Sequence, residues 1–246
     1  MLKRSVATKK ELAARLAEFE DAVVVVNDCN DNKNTKYTAH LNFISVMTKG
    51  EKAAMMNLDK MNISSLVTKR SSEPVLRAKR QNPESVNWRA RMKDPPVKNQ
   101  GTCGSCWAFG AVNSLEGRYF ALTGENVQFS EQEYLDCTME HFYEKYKQSW
   151  AEDHSGCSGG WMHWAYDYSM DSKRMAKMED FKYMAEDRGC NMEGVANGMT
   201  KADVTGIQWY RGSDDMLERG VVEGIVTVAI KVDSDFNYYR EGSFFY

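Results

Sequence analysis

The sequence predicts an α+β protein on three observations: a long amphipathic helical repeat near the amino terminus, further helical patterns from residue 106 onward, and short β-branched apolar runs late in the chain. From Lys9 to Asn30, Leu12, Leu16, Phe19 and Val23 recur at three- and four-residue steps with charges between them, which predicts an amphipathic helix. Lys36 to Thr48 is richer in Thr, Phe, Ile and Val and reads as a short strand running across that helix. Between Lys69 and Asn82 periodicity is lost, and Lys69, Arg70, Arg77, Lys79 and Arg80 accumulate ahead of Pro83. The domain boundary is placed there, dividing 1–81 from 82–246, in an exposed basic linker of the kind where proteolytic nicking concentrates.

Beyond the linker, Cys106 to Leu122 is apolar on nearly every side (Trp107, Phe109, Val112, Leu115, Tyr119), the pattern of a buried central helix. Ser130 followed by Glu133 has the spacing of a capping box, and Phe129 with Tyr134 that of a hydrophobic staple, so a second helix follows at once. A third is expected after Ser213, whose hydroxyl can cap while Asp214 and Asp215 favour the positive helix end. Ile225 to Val232 is β-branched and apolar, and Ile207 to Tyr210 is its plausible neighbour strand.

With 246 residues, 42% hydrophobic and 11% aromatic, the chain has material for one or two cores and is not a disordered polymer. A net charge of −3 with no basic, aromatic-interleaved face argues against nucleic acid as a partner. The charge is uneven: 1–81 carries 15 Lys+Arg against 9 Asp+Glu, and the remainder 17 against 26. Segments of opposite sign attract, which suits an amino-terminal piece docking on its own carboxy-terminal partner. Met1, Leu2, Lys3 and Arg4 lead into polar sequence with no signal-peptide h-region, and Ala22 to Val26 is too short to span a bilayer, so no membrane anchor is expected. Most of the six cysteines fall beyond residue 100 and read as a disulfide set, so an export signal outside the given residues is expected.

The chemistry concentrates in Gln100-Gly101-Thr102-Cys103-Gly104-Ser105-Cys106-Trp107-Ala108-Phe109. A cysteine at a helix start meets unpaired backbone amides whose partial positive charge favours the thiolate, the form that attacks carbonyl carbon. The Cys106 amide and the Gln100 side-chain amide, six residues apart, can then aim two donors at a developing oxyanion. Cys103 and Cys106 also have the form of a redox pair or half a zinc site. No second such pair or spaced histidines completes a metal shell and no βαβ pattern precedes them, which leaves those as the minor readings beside a structural role for both.

This segment resembles the nucleophile motif of the papain and cathepsin L family of cysteine proteases. Pro83 to Arg89 resembles the family's mature amino terminus, Ser130-Glu131-Gln132-Glu133 and Leu135-Asp136-Cys137 its next block, and Cys157-Ser158-Gly159-Gly160 the block that lines the cleft. Glu11, Arg15, Phe19, Val26 and Asn30 fall at the spacing of the inhibitory-helix motif, with Ala22 where asparagine is usual. Tyr37, Asn42 and Thr48 continue the match, with Ile44 and Val46 as departures.

The resemblance implies a papain-like two-domain fold, a helical left domain and an incomplete β-rich right domain, preceded by a mainly helical prosegment. It implies a thiolate endopeptidase held as a zymogen: Cys106 as nucleophile, Gln100 at the oxyanion, disulfides Cys103–Cys157 and Cys137–Cys190, and Cys29 unpaired. Gly159 and Gly160 would hydrogen-bond an extended peptide, with Trp161 and Met162 flanking an apolar pocket and Ala229 at its floor. Partners would be peptide substrates and the chain's own prosegment, in a monomer needing no cofactor or metal, lysosomal or extracellular by kinship.

In this family a histidine oriented by an asparagine protonates the leaving amine, about 130 to 150 residues past the cysteine. Asp235 to Gly242 resembles the segment just before that histidine, so the chain as given is expected to lack the pair. Of His40, His141, His154 and His163 none has the expected place, and His154 and His163 read as cleft-rim residues rather than substitutes. An inactive homologue that binds peptides or a protease is the alternative. His141 to Lys147, inside an insertion between Cys137 and Cys157, reads as a solvated surface excursion, and Asn62-Ile63-Ser64 as a glycosylation sequon.

Overall fold

The computed structural model describes residues 8–56, 82–92, 95–146, 156–193, 195, 200–201, 204–210, 214–230, 232 and 234–243. The basic linker before Asn82, the sequon, His154 and the expected cap Ser213 lie outside them. The chain divides into two compact units, Met1–Met56 with Ala229–Tyr246, and Asn57–Val228.

In the first unit, helix α1 (Lys9–Asp31) begins where the Thr8 hydroxyl accepts the Glu11 amide hydrogen, satisfying one of the orphan donors of a helix start. Its buried face is Ala22, Val26 and Cys29, clustered with Ala39 and Tyr238. The stripe read from sequence is shifted, because Leu12 (63%), Leu16 (57%) and Phe19 (37%) are exposed. Strand β1 (Tyr37–Ala39) covers only the start of the strand expected over Lys36–Thr48. Asn42 stops it: its side chain accepts the Ile44 amide, Ser45 answers at the Asn42 amide, and the box winds Phe43–Val46 into a 3-10 turn. A second box, Thr48 with Glu51, starts α2 (Lys49–Met55). Arg15 ties α2 to α1 through a two-pronged contact with Glu51 at 2.8 and 2.9 Å, and also pairs with Glu11.

The second unit packs its core around α4 (Cys106–Thr123), which follows the short α3 (Trp88–Arg91). Trp107, Ala108, Ala111, Val112 and Leu115 are buried there against α5 (Glu131–Tyr146) and α6 (Met162–Ser172). Gly117 lies under Ile225, whose side chain takes the space a Cβ would need. Thr227 adds a hydrogen bond to the Gly110 carbonyl (2.7 Å), so Ile225 and Thr227 lie along α4. Ser130 caps α5 by accepting the Glu133 amide hydrogen (3.0 Å), but the expected box is not closed: the Ser130 amide donates to Ala176 O, while the Glu133 carboxylate takes Ala176 N and Tyr168 OH.

The excursion expected at His141–Lys147 is, as far as Tyr146, the last turns of α5. It is helical because it has an apolar wall to cover: Phe142 meets Trp164 (5.5 Å between ring centroids) and His141 meets Tyr168 edge-on (5.6 Å). Lys145 pairs with Asp167 and Asp171 of α6.

The sheets are small. Strand β2 (Arg174–Met175) pairs antiparallel with β3 (Thr200–Lys201), and β1 pairs antiparallel with β4 (Tyr239–Gly242), which follows a 3-10 turn at Phe236–Tyr238. The strands read at Ile225–Val232 and Ile207–Tyr210 do not form among the described residues. β-Branched composition supplies a surface but not a ladder, and Ile225 and Thr227 engage a helix instead; Val228 (58%) and Ile230 (46%) stay exposed. The tail that includes β4 packs with the amino-terminal segment, a division different from the one read at residue 81.

Candidate active site

Three connections hold the first turn of α4. Cys103 is disulfide-bonded to Cys157, the Gly104 amide donates to the Cys157 carbonyl (2.9 Å), and Trp107 Nε1 donates to the Gly156 carbonyl (3.1 Å). Gly160 lies against the Trp107 indole, which fills the place of a Cβ. The glycine there serves the packing of its own chain, in addition to any approach by a peptide. A second disulfide joins Cys137 to Cys190.

Cys106 is half-buried and its thiol is free; Cys29, the other free cysteine among the described residues, is buried in the first unit. Burial pushes the Cys106 thiol up, and the Trp107 and Cys106 amides pull it back only in part. Those two amides act in the direction that the sequence reading expects of a helix start, while desolvation outweighs them.

Gln100 is held on the same side of the unit. Its Nε2 donates to the Cys103 carbonyl (2.9 Å), and its own carbonyl accepts from Tyr183 OH (2.8 Å). Tyr183 also shares a 2.5 Å hydrogen bond with the buried hydroxyl of Ser105, and its ring meets Phe109 edge-on at 4.8 Å. Sequence reading missed Tyr183, which lies 78 residues from Ser105 with no local motif to mark it.

Below this, Lys98 Nζ binds Glu116 (2.8 Å) and Glu131 (2.5 Å), carboxylates that are 4% and 1% exposed, and Glu116 also accepts the Phe129 amide. Burial pushes Glu116 up against the pull of Lys98. A cavity of about 410 Å³ opens beside Lys98 and Gln100, lined also by Arg89, Met92, Phe109 and Ile225.

Trp161, at the entry to α6, is buried, and Met162 packs on the main core. Gly159 adopts a left-handed φ of +117°, which fixes glycine there for backbone reasons. Ala229 is exposed and belongs to the first unit, while Gly159, Gly160, Trp161 and Met162 belong to the second.

His163 contacts the rings of Trp161, Trp164 and Trp209, and burial lowers it to about 4, so it is neutral near pH 7. His141 lies 3.1 Å from Asp171, and His40 contacts Arg240 in the first unit. Among the described residues no cluster of three or more His, Cys, Asp or Glu could hold a metal, and no helix is long and apolar enough to cross a membrane.

The prosegment-motif positions fall as follows. Glu11 and Arg15 pair, Phe19 is exposed, and Val26 is buried. Asn30 bonds both the N–H and the C=O of Ala39 (2.9 Å each), and Asn42 Nδ2 donates to the Asn237 carbonyl (2.8 Å).

The fold is the papain-like α+β fold. The digestive procathepsin L2 proteinase of the Tenebrio molitor larval midgut superposes with a TM-score of 0.78 at 27% identity, over 99% of this chain and 76% of that one. Digestive procathepsin L 3 of the same animal gives 0.76 at 26% identity, over 98% and 74%. Residues 82–245 match the profile of the papain family cysteine proteases, and the chain belongs to that family. Fruit bromelain of Ananas comosus is 31% identical over 95% of this chain and 62% of its own length. A cathepsin L-like peptidase of Aedes aegypti is 33% identical over 66% and 45%. The chain thus spans from under half to just over three fifths of these two curated relatives.

Proposed function

We propose that the chain is the precursor of a cysteine endopeptidase in which Cys106 attacks the peptide carbonyl to form an acyl-enzyme, Gln100 stabilises the oxyanion, and residues 1–81 act as an inhibitory prosegment for 82–246. One observation carries this reading: of the two cysteines three residues apart, Cys103 is closed in a disulfide while Cys106 keeps a free thiol at the helix start with two backbone amides at its sulfur. Gly159, Gly160, Trp161 and Met162 form one side of the peptide site in this proposal. The engaged Arg15, Asn30 and Asn42, and the likeness to procathepsin structures, support the prosegment role. Two disulfides suit an oxidising compartment, lysosomal or extracellular.

A second reading, a peptide-binding homologue that does not cut, is favoured by a specific observation: burial pushes the Cys106 thiol up, away from the thiolate form that attacks a carbonyl. A peptidyl epoxide and a fluorogenic dipeptide separate the two. Labelling at Cys106 with turnover, both abolished in Cys106→Ala, supports the protease; labelling without turnover supports a nucleophile lacking its acid in residues 1–246; neither sinks the first reading.

A further inference from the structure

We propose that Tyr183 is a positioning residue that sets the distance between the two donors of the oxyanion site, a role that rests on the reading of Cys106 as nucleophile and Gln100 as oxyanion donor. Those two residues come from different segments, a loop and a helix start, and covalent geometry does not fix one against the other. Tyr183 OH bonds both segments at once. It donates its single hydrogen to the Gln100 carbonyl (2.8 Å), so the 2.5 Å contact with Ser105 must run the other way, with Ser105 Oγ donating to the phenol oxygen. Ser105 is the residue immediately before Cys106, is fully buried, and makes no side-chain cap to α4. Its hydroxyl is thereby committed to Tyr183 instead of the helix amides.

The relay Ser105 to Tyr183 to Gln100 leaves little play. The Tyr183 ring is braced edge-on by Phe109, one turn along the same helix, and the Gln100 side chain is held at its far end by the Cys103 carbonyl. A donor placed for a transition state loses its effect when it moves by a fraction of an ångström, whereas attack by sulfur on an unhindered carbon does not use that donor. Loss of the phenol hydroxyl therefore affects tetrahedral adducts and spares simple alkylation.

The test uses the full chain and two small reagents. Iodoacetamide alkylates the sulfur with iodide leaving and makes no oxyanion. N-Acetylglycinal forms a reversible hemithioacetal: the S–C bond forms, the carbonyl π pair moves to oxygen, and the thiol proton ends on that oxygen. In Tyr183→Phe, the hemithioacetal dissociation constant is expected to rise about tenfold while the alkylation rate and its pH profile stay within about twofold. Ser105→Ala, which leaves the aromatic ring in place, is expected to show the same selective loss, and the double variant no more than either alone. Unchanged aldehyde affinity in both variants, or equal loss of alkylation and aldehyde binding, overturns the positioning role. A wild-type chain no more reactive at residue 106 than Cys106→Ala instead overturns the nucleophile reading, and this inference with it.

Discussion

Tyr168 OH donates to Glu133 Oε1 at 2.9 Å, and the other carboxylate oxygen takes the Ala176 amide at 2.7 Å, so a residue that sequence assigns to a helix cap joins α5 to α6 and to the residue that follows β2. Burial raises Glu133 to about 7, against the two hydrogen bonds that favour its charged form. Because the folded pKa lies above the unfolded one, the folded state holds the extra proton. The stabilisation is complete below the unfolded value of 4.5 and is lost as pH rises through about 7. Urea unfolding at pH 5 and pH 8 should show Glu133→Gln losing less stability than wild type across this interval, by an amount on the order of 3 kcal/mol. Parallel losses in both proteins would remove Glu133 as the cause.

The same residue marks how much was legible. Helices over 9–31, 106–123 and 131–146 could be read because a 3.6-residue period and the Ser130 signal are local. The cysteine motif was legible for the same reason. What could not be read is whatever a distant partner decides: β1 pairs with a strand some 200 residues away, Ile225 and Thr227 lie on a helix rather than in a ladder, and Tyr183 reaches Ser105 across 78 residues. The burial that opposes the helix amides at Cys106 is likewise decided by distant packing and is not legible in the local motif.

Lys98 holds two carboxylates away from water with one charge. Burial opposes its own ionisation, but Glu116 and Glu131 more than offset this and leave its pKa raised. Lys98→Met removes the cation and leaves both acids buried, which should cost about 3–5 kcal/mol. Glu131→Gln keeps the Lys98–Glu116 pair, removes the excess negative charge, and should cost less than about 1.5 kcal/mol, the scale of one hydrogen bond. Guanidinium denaturation of the two variants checks the order; equal losses would mean that packing, not charge, sets the energetics of this cluster.

Arg15 holds Glu51 down to about 2, chiefly by direct hydrogen bonds to the carboxylate. A depressed carboxylate contributes stability above its unfolded value of 4.5 and loses it as pH falls through about 2. The brace between α1 and α2 should thus hold at pH 4.5 and open only in stronger acid. Carboxyl NMR titration should place the Glu51 midpoint near 2 in wild type and move it toward 4.5 in Arg15→Ala. A midpoint unmoved by that substitution would show that the pairing does not form in solution.

Asn30 stands in for a missing strand. Ala39 is fully buried, and its N–H and C=O on the side facing α1 have the Asn30 amide where a neighbouring strand would otherwise supply an acceptor and a donor. Only an amide offers both at that spacing. Asn30→Asp keeps the acceptor but turns an oxygen toward the Ala39 carbonyl, leaving it unsatisfied beside a negative charge; Asn30→Ala leaves both groups without a partner. Either should cost about 1–3 kcal/mol locally. The loss should be read at the ladder between β1 and β4, where His40 donates to Tyr238 O (2.8 Å) and Ser243 to Lys36 O (2.8 Å). Hydrogen exchange at these two amides should accelerate about tenfold or more in both variants, because opening the ladder is less costly once β1 has lost its second edge. Unchanged protection would mean that water satisfies Ala39 as well as Asn30 does, and that the register of β1 is held by β4 alone.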